Sequence, residues 1–516
     1  MQTLADIPRH HASERPQSVA LVFEDRQTTY AELDRQSNRI ANALLAEGLK
    51  PGARVAILAK NSDDFFKILF GAVKARAVLV PVNFRLAPPE VAFVVNDATA
   101  EVLFVDEAHA GLIAEIEGEL KTVKKIVHLD GARDGWAAYA PWREAAPDTD
   151  PDIDVLAEDV AIQMYTSGTT GLPKGAQITH GAFIYAIDIA SRTLGQWSDK
   201  DVNLVCMPLF HIAGSEWGTI GLYNGARDII LPEVDAGQIL HLISTERVTK
   251  VLFVPAVILF MLQHPTCGDT DFASLELVVY GASPIPLDLL AQAVGTLKCD
   301  FAQVYGLTET MGAITYLPPS DHDPDGSPRM KSCGYPMEGV EIRIVDADGA
   351  ECEAGVVGEI ACRTRQNMKG YWNQPEATAR SIRDGWFYSG DAGYLDEAGY
   401  VYIHDRIKDM IVSGGENVYP AEVESALFKH DDIADVAVIG VPDDRWGEAV
   451  KAIVVRREGS AVTETDIQDF ARAHIAGYKV PKSVDFVDAL PRNPSGKILK
   501  RELRTPYWEG QDRQVH

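Results

Sequence analysis

Between Thr29 and Val82 the chain changes its apolar period repeatedly, and that alternation restricts it to folds built on a helix-covered sheet. Leu33, Ile40, Leu44 and Leu45 recur at helical spacing with charges between them, until Gly48 and Pro51 stop the run. Arg54 to Leu58 then reads as a strand, Phe65 to Lys74 as a helix and Ala77 to Val82 as a second strand. A strand–helix–strand order is the unit that builds parallel sheets. The same succession recurs around Val202 to Met207, Val251 to Val254 and Leu277 to Tyr280, so a large α/β body with parallel-type sheets is expected.

From about Met337 the strands shorten. Glu341 to Val345 and Val356 to Cys362 are separated by the turn signals Asp348-Gly349 and Glu353-Ala354-Gly355, which predicts a small β subdomain. After Asp409, Ala421 to Phe428 and Thr463 to His474 read as helices and Val436 to Val441 and Ala449 to Val455 as strands. This α+β stretch of about 110 residues suffices for a separate domain. Pro147 to Asp159 holds six acids and reads as a solvated linker.

With 516 residues the chain exceeds the roughly 250–300 at which a single core stops growing, so at least two domains are expected. Forty-eight Lys and Arg against 75 Asp and Glu leave a net charge of −27, which repels phosphate backbones and excludes a general nucleic-acid binder. A phosphate-bearing partner must therefore be captured by a local constellation. The six cysteines, at 206, 267, 299, 333, 352 and 362, form no CxxC pair and read as free thiols of a reducing compartment. The opening MQTLADIPRHH has no apolar core of a signal peptide. The most apolar run, Val251 to Leu262, is interrupted by Pro255 and falls short of the roughly 20 residues of a membrane span. No membrane span and a cytoplasmic location are expected.

The sharpest local signal is Tyr165-Thr-Ser-Gly-Thr-Thr-Gly-Leu-Pro-Lys-Gly175, which follows the apolar run Val160 to Met164. Gly168, Gly171 and Gly175 free the backbone for close approach; Thr166, Ser167, Thr169 and Thr170 offer hydroxyls, and Lys174 supplies charge. Such a loop can wrap a polyphosphate. It is not a Walker loop, because Lys174 lies between Pro173 and Gly175.

This loop resembles that of the adenylate-forming superfamily of acyl-CoA synthetases, peptide-synthetase adenylation domains and luciferases. Tyr305-Gly-Leu-Thr-Glu309, Tyr388-Ser-Gly-Asp391, Asp405-Arg-Ile-Lys-Asp409 and Pro491-Arg-Asn-Pro-Ser-Gly-Lys497 follow in the family's order. The resemblance runs from about Thr29 to Leu503 and implies an N-terminal AMP-binding and acyl-binding domain, residues 1–407. It also implies a mobile C-terminal lid, residues 408–516, swinging about a hinge at Lys408.

It further implies a site. Gly281, Ala282 and Ser283, facing Gln303, Val304 and Tyr305, correspond to the adenine pocket. Thr308 corresponds to the hydroxyl at the α-phosphate and Glu309 to the carboxylate that holds Mg²⁺, a hard cation that prefers oxygen ligands. Asp391 and Arg406 correspond to the ribose contacts, and Lys497 to the catalytic cation between the α-phosphate and the attacking carboxylate. His211, in Pro208-Leu-Phe-His-Ile-Ala-Gly214, corresponds to the histidine at the mouth of the acyl pocket. Gly414 and Gly415, in the acyl-CoA synthetase form of the post-hinge string, leave room for the pantetheine arm of CoA.

The expected reaction is ATP-dependent acid–CoA ligation with ATP, CoA and Mg²⁺, in which an acyl-adenylate forms and CoA then displaces AMP. The acyl pocket is expected near Trp217, Val257, Gly312 and Ala313, in segments holding no Arg, Lys or Asp. That implies an apolar monocarboxylic acid, a fatty acid before an aryl acid of cinnamate or benzoate type. A stand-alone acyl-carrier-protein ligase is the other reading. A homodimer is an open expectation.

Overall fold

The computed structural model describes residues 1–166, 173–283, 285–406, 409–413, 416–443, 446–492 and 498–509, with the backbone alone at 404–406, 412, 416, 417 and 447. Helix Tyr30–Ala46 starts where Thr29 caps it, its hydroxyl accepting from the Glu32 N–H at 3.2 Å. It buries Tyr30, Leu33, Ile40 and Leu44, the stripe its sequence period predicts. Strand Arg54–Leu58, helix Asp63–Lys74 and strand Val78–Pro81 follow, the two strands pairing in parallel.

Two sheets organise this part of the chain. In the first, the described strands run in the order Gly370–Tyr371, Lys174–Thr179, Val160–Thr166, Val78–Pro81, Arg54–Leu58, Ala100–Val105, Lys125–His128 and Ala137–Ala138. In the second, Lys250–Phe253, Leu277–Gly281 and Asp300–Leu307 lie parallel, and Gly312–Leu317 returns antiparallel. The central strands are apolar on both faces, as burial between helix layers requires. Phe253, Val278, Tyr280, Leu290 and Phe301 form one core, and Val80, Val91, Leu103 and Ile113 another.

The acidic stretch from Pro147 is largely exposed, as a solvated segment should be, and is in addition docked on the body as a strap rather than free. Asn42 Nδ2 donates to the carbonyls of Pro147 (3.0 Å) and Thr149 (2.8 Å), and Asn38 Nδ2 to that of Asp148 (3.0 Å). Arg9 grips both carboxylate oxygens of Asp150, and Arg76 those of Asp159. Three of the six acids, Asp148, Asp150 and Asp159, are the counter-ions of Arg39, Arg9 and Arg76, far away in sequence.

Contacts divide the chain into two compact units, Met1–Glu341 with Cys362–Phe387, and Ile342–Ala361 with Tyr388 onward. The expected boundary at Lys408 therefore falls inside the second unit, because strand Val401–Arg406 packs on helix Pro420–Leu427. The second unit carries its own sheet, in which Ile433–Asp443 and Gly447–Arg456 form a long antiparallel pair and Ser483–Phe486 adds in parallel. Its core gathers Val423, Leu427, Val438, Val450, Val454 and Ile467. The six cysteines form no disulfide with one another. No helix among the described residues is long and apolar enough to cross a membrane.

Candidate active site

The phosphate-loop motif closes a hairpin. Strands Val160–Thr166 and Lys174–Thr179 pair antiparallel, with Tyr165 opposite Gly175 and Thr166 opposite Lys174. Gly175 has a packing reason, since a Cβ there would stand 2.6 Å from Gln163 Nε2. Ser167, Gly168, Thr169, Thr170 and Gly171 lie outside the described residues.

Glu309 comes to this hairpin from the other sheet. Strand Asp300–Leu307 ends in the 3-10 turn Thr308–Thr310, followed by Met311 and Gly312 at φ +48° and +84°. Thr310 fixes the turn: its hydroxyl accepts from the Leu307 N–H (2.9 Å) and donates to the Gly312 carbonyl (2.8 Å). The Glu309 carboxylate accepts from the Tyr371 hydroxyl at 2.8 Å and lies 3.5 Å from the Thr166 hydroxyl. Lys174 Nζ sits 5.1 Å from the Tyr371 ring centroid. Thr166, Lys174 and Glu309, separated by up to 143 residues, thus meet around Tyr371.

Sequence reasoning missed Tyr371 and also Gln366, whose buried amide donates to the carbonyls of Thr310 (2.8 Å) and Ala313 (2.7 Å) and clamps the turn. Both stand in the stretch Gln366-Asn-Met-Lys-Gly-Tyr371, which is rich in polar and aromatic residues beside a glycine. That composition was the available signal.

Glu309 suits Mg²⁺. It supplies one carboxylate with a hydroxyl beside it, and no group of three or more His, Cys, Asp or Glu that could hold a metal occurs among the described residues. Mg²⁺ is characteristically held this way, through one or two carboxylates completed by water and substrate phosphates.

Strands Leu277–Gly281 and Asp300–Leu307 set Gly281 opposite Val304, where a Cβ on Gly281 would lie 2.3 Å from the Val304 carbonyl. The expected adenine residues therefore sit side by side at the carboxyl ends of parallel strands, where α/β sheets bind ligands. Ala282 adopts φ +67°, a left-handed conformation that costs a non-glycine residue roughly 1–2 kcal/mol. Strain of this kind concentrates at binding sites. Gln303 adds a buried amide oxygen with no hydrogen-bond partner among the described residues.

His211 caps helix Ile212–Tyr223, its Nδ1 accepting from the Ala213 N–H at 3.3 Å. Burial lowers its pKa to about 4, so the ring is neutral at pH 7. The residue that this helix turns toward Gly312 is Glu216. A Cβ on Gly312 would lie 1.9 Å from one Glu216 carboxyl oxygen and 2.7 Å from the other. This corrects two expectations: the space beside Gly312 is filled, and a carboxyl enters the expected apolar lining. Trp217, one residue and about 100° further round the helix, packs edge-on against Trp197 at 5.3 Å. Val257 is a core residue alongside Ile258 and Met261.

In the second unit Asp391 is 5% exposed, its N–H donates to the Ser389 hydroxyl (3.0 Å), and its strand register places it opposite Arg406. The Arg406 side chain, Lys408, Gly414, Gly415 and Lys497 lie outside what is described.

The model of the family described as AMP-binding enzyme matches residues 8–372. The chain belongs to the AMP-binding enzyme family. The AMP-binding enzyme C-terminal domain matches residues 422–497. This AMP-binding enzyme is 42% identical over 520 residues to the fatty acid–[acyl-carrier-protein] ligase ScoC of Streptomyces coeruleorubidus, covering 100% of this chain and 98% of that one. To a feruloyl-CoA synthase of an Amycolatopsis species it is 39% identical, covering 98% and 99%. The crystal structure of the anthranilate CoA ligase AuaEII with anthranoyl-AMP matches it with a TM-score of 0.90 at 28% identity, covering 98% and 97%. The AMP-binding enzyme is an adenylate-forming enzyme of the acyl-CoA synthetase branch, and AMP-forming ligation is its chemistry.

Proposed function

We propose that this enzyme joins a monocarboxylic acid, a fatty acid before an aryl acid, to the thiol of CoA in two half-reactions. The meeting of Thr166, Lys174 and Glu309 around Tyr371 carries the reading, because it assembles the rim of a polyphosphate site from both sheets. The name of the fatty acid–[acyl-carrier-protein] ligase relative supports the fatty acid, and that of the feruloyl-CoA synthase supports CoA and the aryl alternative.

In the first half-reaction a carboxylate oxygen bonds to the α-phosphorus of ATP, and the bond to the pyrophosphate oxygen breaks. Lys174 and the loop hydroxyls hold the phosphates, Thr308 donates to the α-phosphate, and the cleft of Gly281 to Ser283 and Gln303 to Tyr305 takes adenine. Asp391 and Arg406 take the ribose. Lys497 neutralises two anions that would otherwise repel each other. Mg²⁺ held by Glu309 would supply charge neutralisation on the phosphates. In the second half-reaction the CoA sulfur bonds to the acyl carbon, AMP leaves, and the thiol proton passes to water. Rotation at Lys408 exchanges the face of the lid between the two steps, and Gly414 and Gly415 admit the pantetheine arm. Six cysteines without a disulfide support a cytoplasmic setting, and a homodimer is the assembly proposed.

The test is AMP release across fatty and aryl acids with CoA or a carrier-protein thiol as acceptor. CoA-dependent release with a fatty acid is expected; release only with the carrier protein would favour the second reading. Lys497→Ala should abolish acyl-adenylate formation yet pass supplied acyl-adenylate to CoA. Equal loss of both steps would refute that role.

A further inference from the structure

Helix Ile212–Tyr223 carries one charged residue, Glu216. It is 9% exposed, and no described residue gives it a hydrogen bond or an ion pair. A buried carboxyl nearby, Asp228, has one oxygen that accepts from Asn203 Nδ2 at 3.0 Å and another with no partner among the described residues. Glu216 has no such amide. Both its oxygens instead occupy the place where a side chain of residue 312 would stand, in front of the turn that follows Glu309.

A carboxyl held largely away from water without a partner is destabilised, and a donor that arrives with the ligand removes that penalty. We propose that Glu216 determines the specificity of the acyl pocket by accepting a hydrogen bond from a hydroxyl or amino substituent on the acid. The proposal rests on the ligase reading above and deepens it. Burial raises the Glu216 pKa to about 8, so this position presents a neutral carboxyl at pH 7. A hydroxyl then finds an acceptor directly. An ammonium finds one after the carboxyl has released its proton to solvent, so that the pair is neutral overall.

The experiment compares kcat/KM for acid-dependent pyrophosphate release among matched acids: unsubstituted chains and benzoates, and the same acids with a hydroxyl or an amino group at successive positions. In the parent, at least one substituted acid should exceed its unsubstituted counterpart by about tenfold or more, well inside the roughly 10⁴–10⁵ by which a site built to hydrogen-bond a substrate group can reject an analogue lacking it. Glu216→Leu should bring that ratio to within about threefold of unity. Glu216→Gln, which keeps a carbonyl acceptor and gives up the charge, should retain a preference for a hydroxyl and lose one for an amine. A parent that prefers the unsubstituted acid at every position, or a Glu216→Leu enzyme with the parent's ratio, would overturn the proposal. The parent's own ranking decides the matter if Glu216→Leu does not fold. Pyrophosphate release with no acid of any kind would instead overturn the ligase reading, and the proposal with it.

Discussion

Glu309 is held by a phenol and flanked by a hydroxyl, and this separates the work of its charge from the work of its position. Glu309→Gln keeps an oxygen for the Tyr371 hydroxyl and removes the charge. Adenylation should fall by about 100-fold or more with little change in melting temperature. Tyr371→Phe removes one neutral-to-charged hydrogen bond, and a loss nearer tenfold is expected in the same assay. At Gly312, φ +84° and the adjacent Glu216 carboxyl both oppose a side chain. Gly312→Leu should therefore lower the melting temperature and reduce activity on short and long acids together, the strain alone costing roughly 1–2 kcal/mol. A shift in chain-length preference at unchanged stability would contradict this. Glu216 also predicts a pH effect. Burial raises its carboxyl from 4.5 to about 8, so between those values the folded state binds more protons than the unfolded state. Stability then falls with rising pH across that window and levels off above it. Thermal melts from about pH 5 to about pH 8 should show a smaller fall for Glu216→Gln than for the parent.

The strap after Pro147 ranks two kinds of attachment at the scale of an element. Asn42 donates to two strap carbonyls, whereas Arg9 and Asp150 are about a third exposed and form a pair of the surface kind. Asn42→Ala should cost about 1–2 kcal/mol and admit proteases near the strap; Arg9→Ala should cost less than about 1 kcal/mol. Equal protection in the two variants would show that the carbonyl bonds do not hold the strap. Helices and strands of this chain were legible wherever a period and its caps agree, as at Thr29 and at Thr463, whose hydroxyl accepts from the Asp466 N–H. The strap was not, because its acids meet arginines and asparagines about 80 to 140 positions away. The motifs showed Thr166, Lys174 and Glu309, which carry unusual chemistry in short strings. Tyr371 and Gln366 position those residues from an ordinary-looking loop. Glu216 escaped because the apolar reading of the pocket segments passed over the residue beside Trp217, and a helix rotates about 100° from one residue to the next.

At the scale of the whole molecule, the two compact units hold separate cores. Calorimetry should resolve two unfolding transitions, since chains of this size seldom unfold in one step; a single transition with equal calorimetric and van't Hoff enthalpies would refute their independence. The proposed hinge adds a kinetic counterpart. Lys408→Pro fixes φ near −65° and should impair thioester formation far more than pyrophosphate exchange. Equal inhibition would place the pivot elsewhere. The residues proposed to face the phosphates come from two different sheets, and the bonds of Tyr371 and Thr166 to Glu309 join them. Such a seam is a point of thermal fragility. Warming that loosens the packing of one sheet against the other should therefore cost activity before either core melts, which activity and melting curves recorded side by side would show. An activity optimum that instead tracks the melting temperature would show that the seam holds as long as the cores.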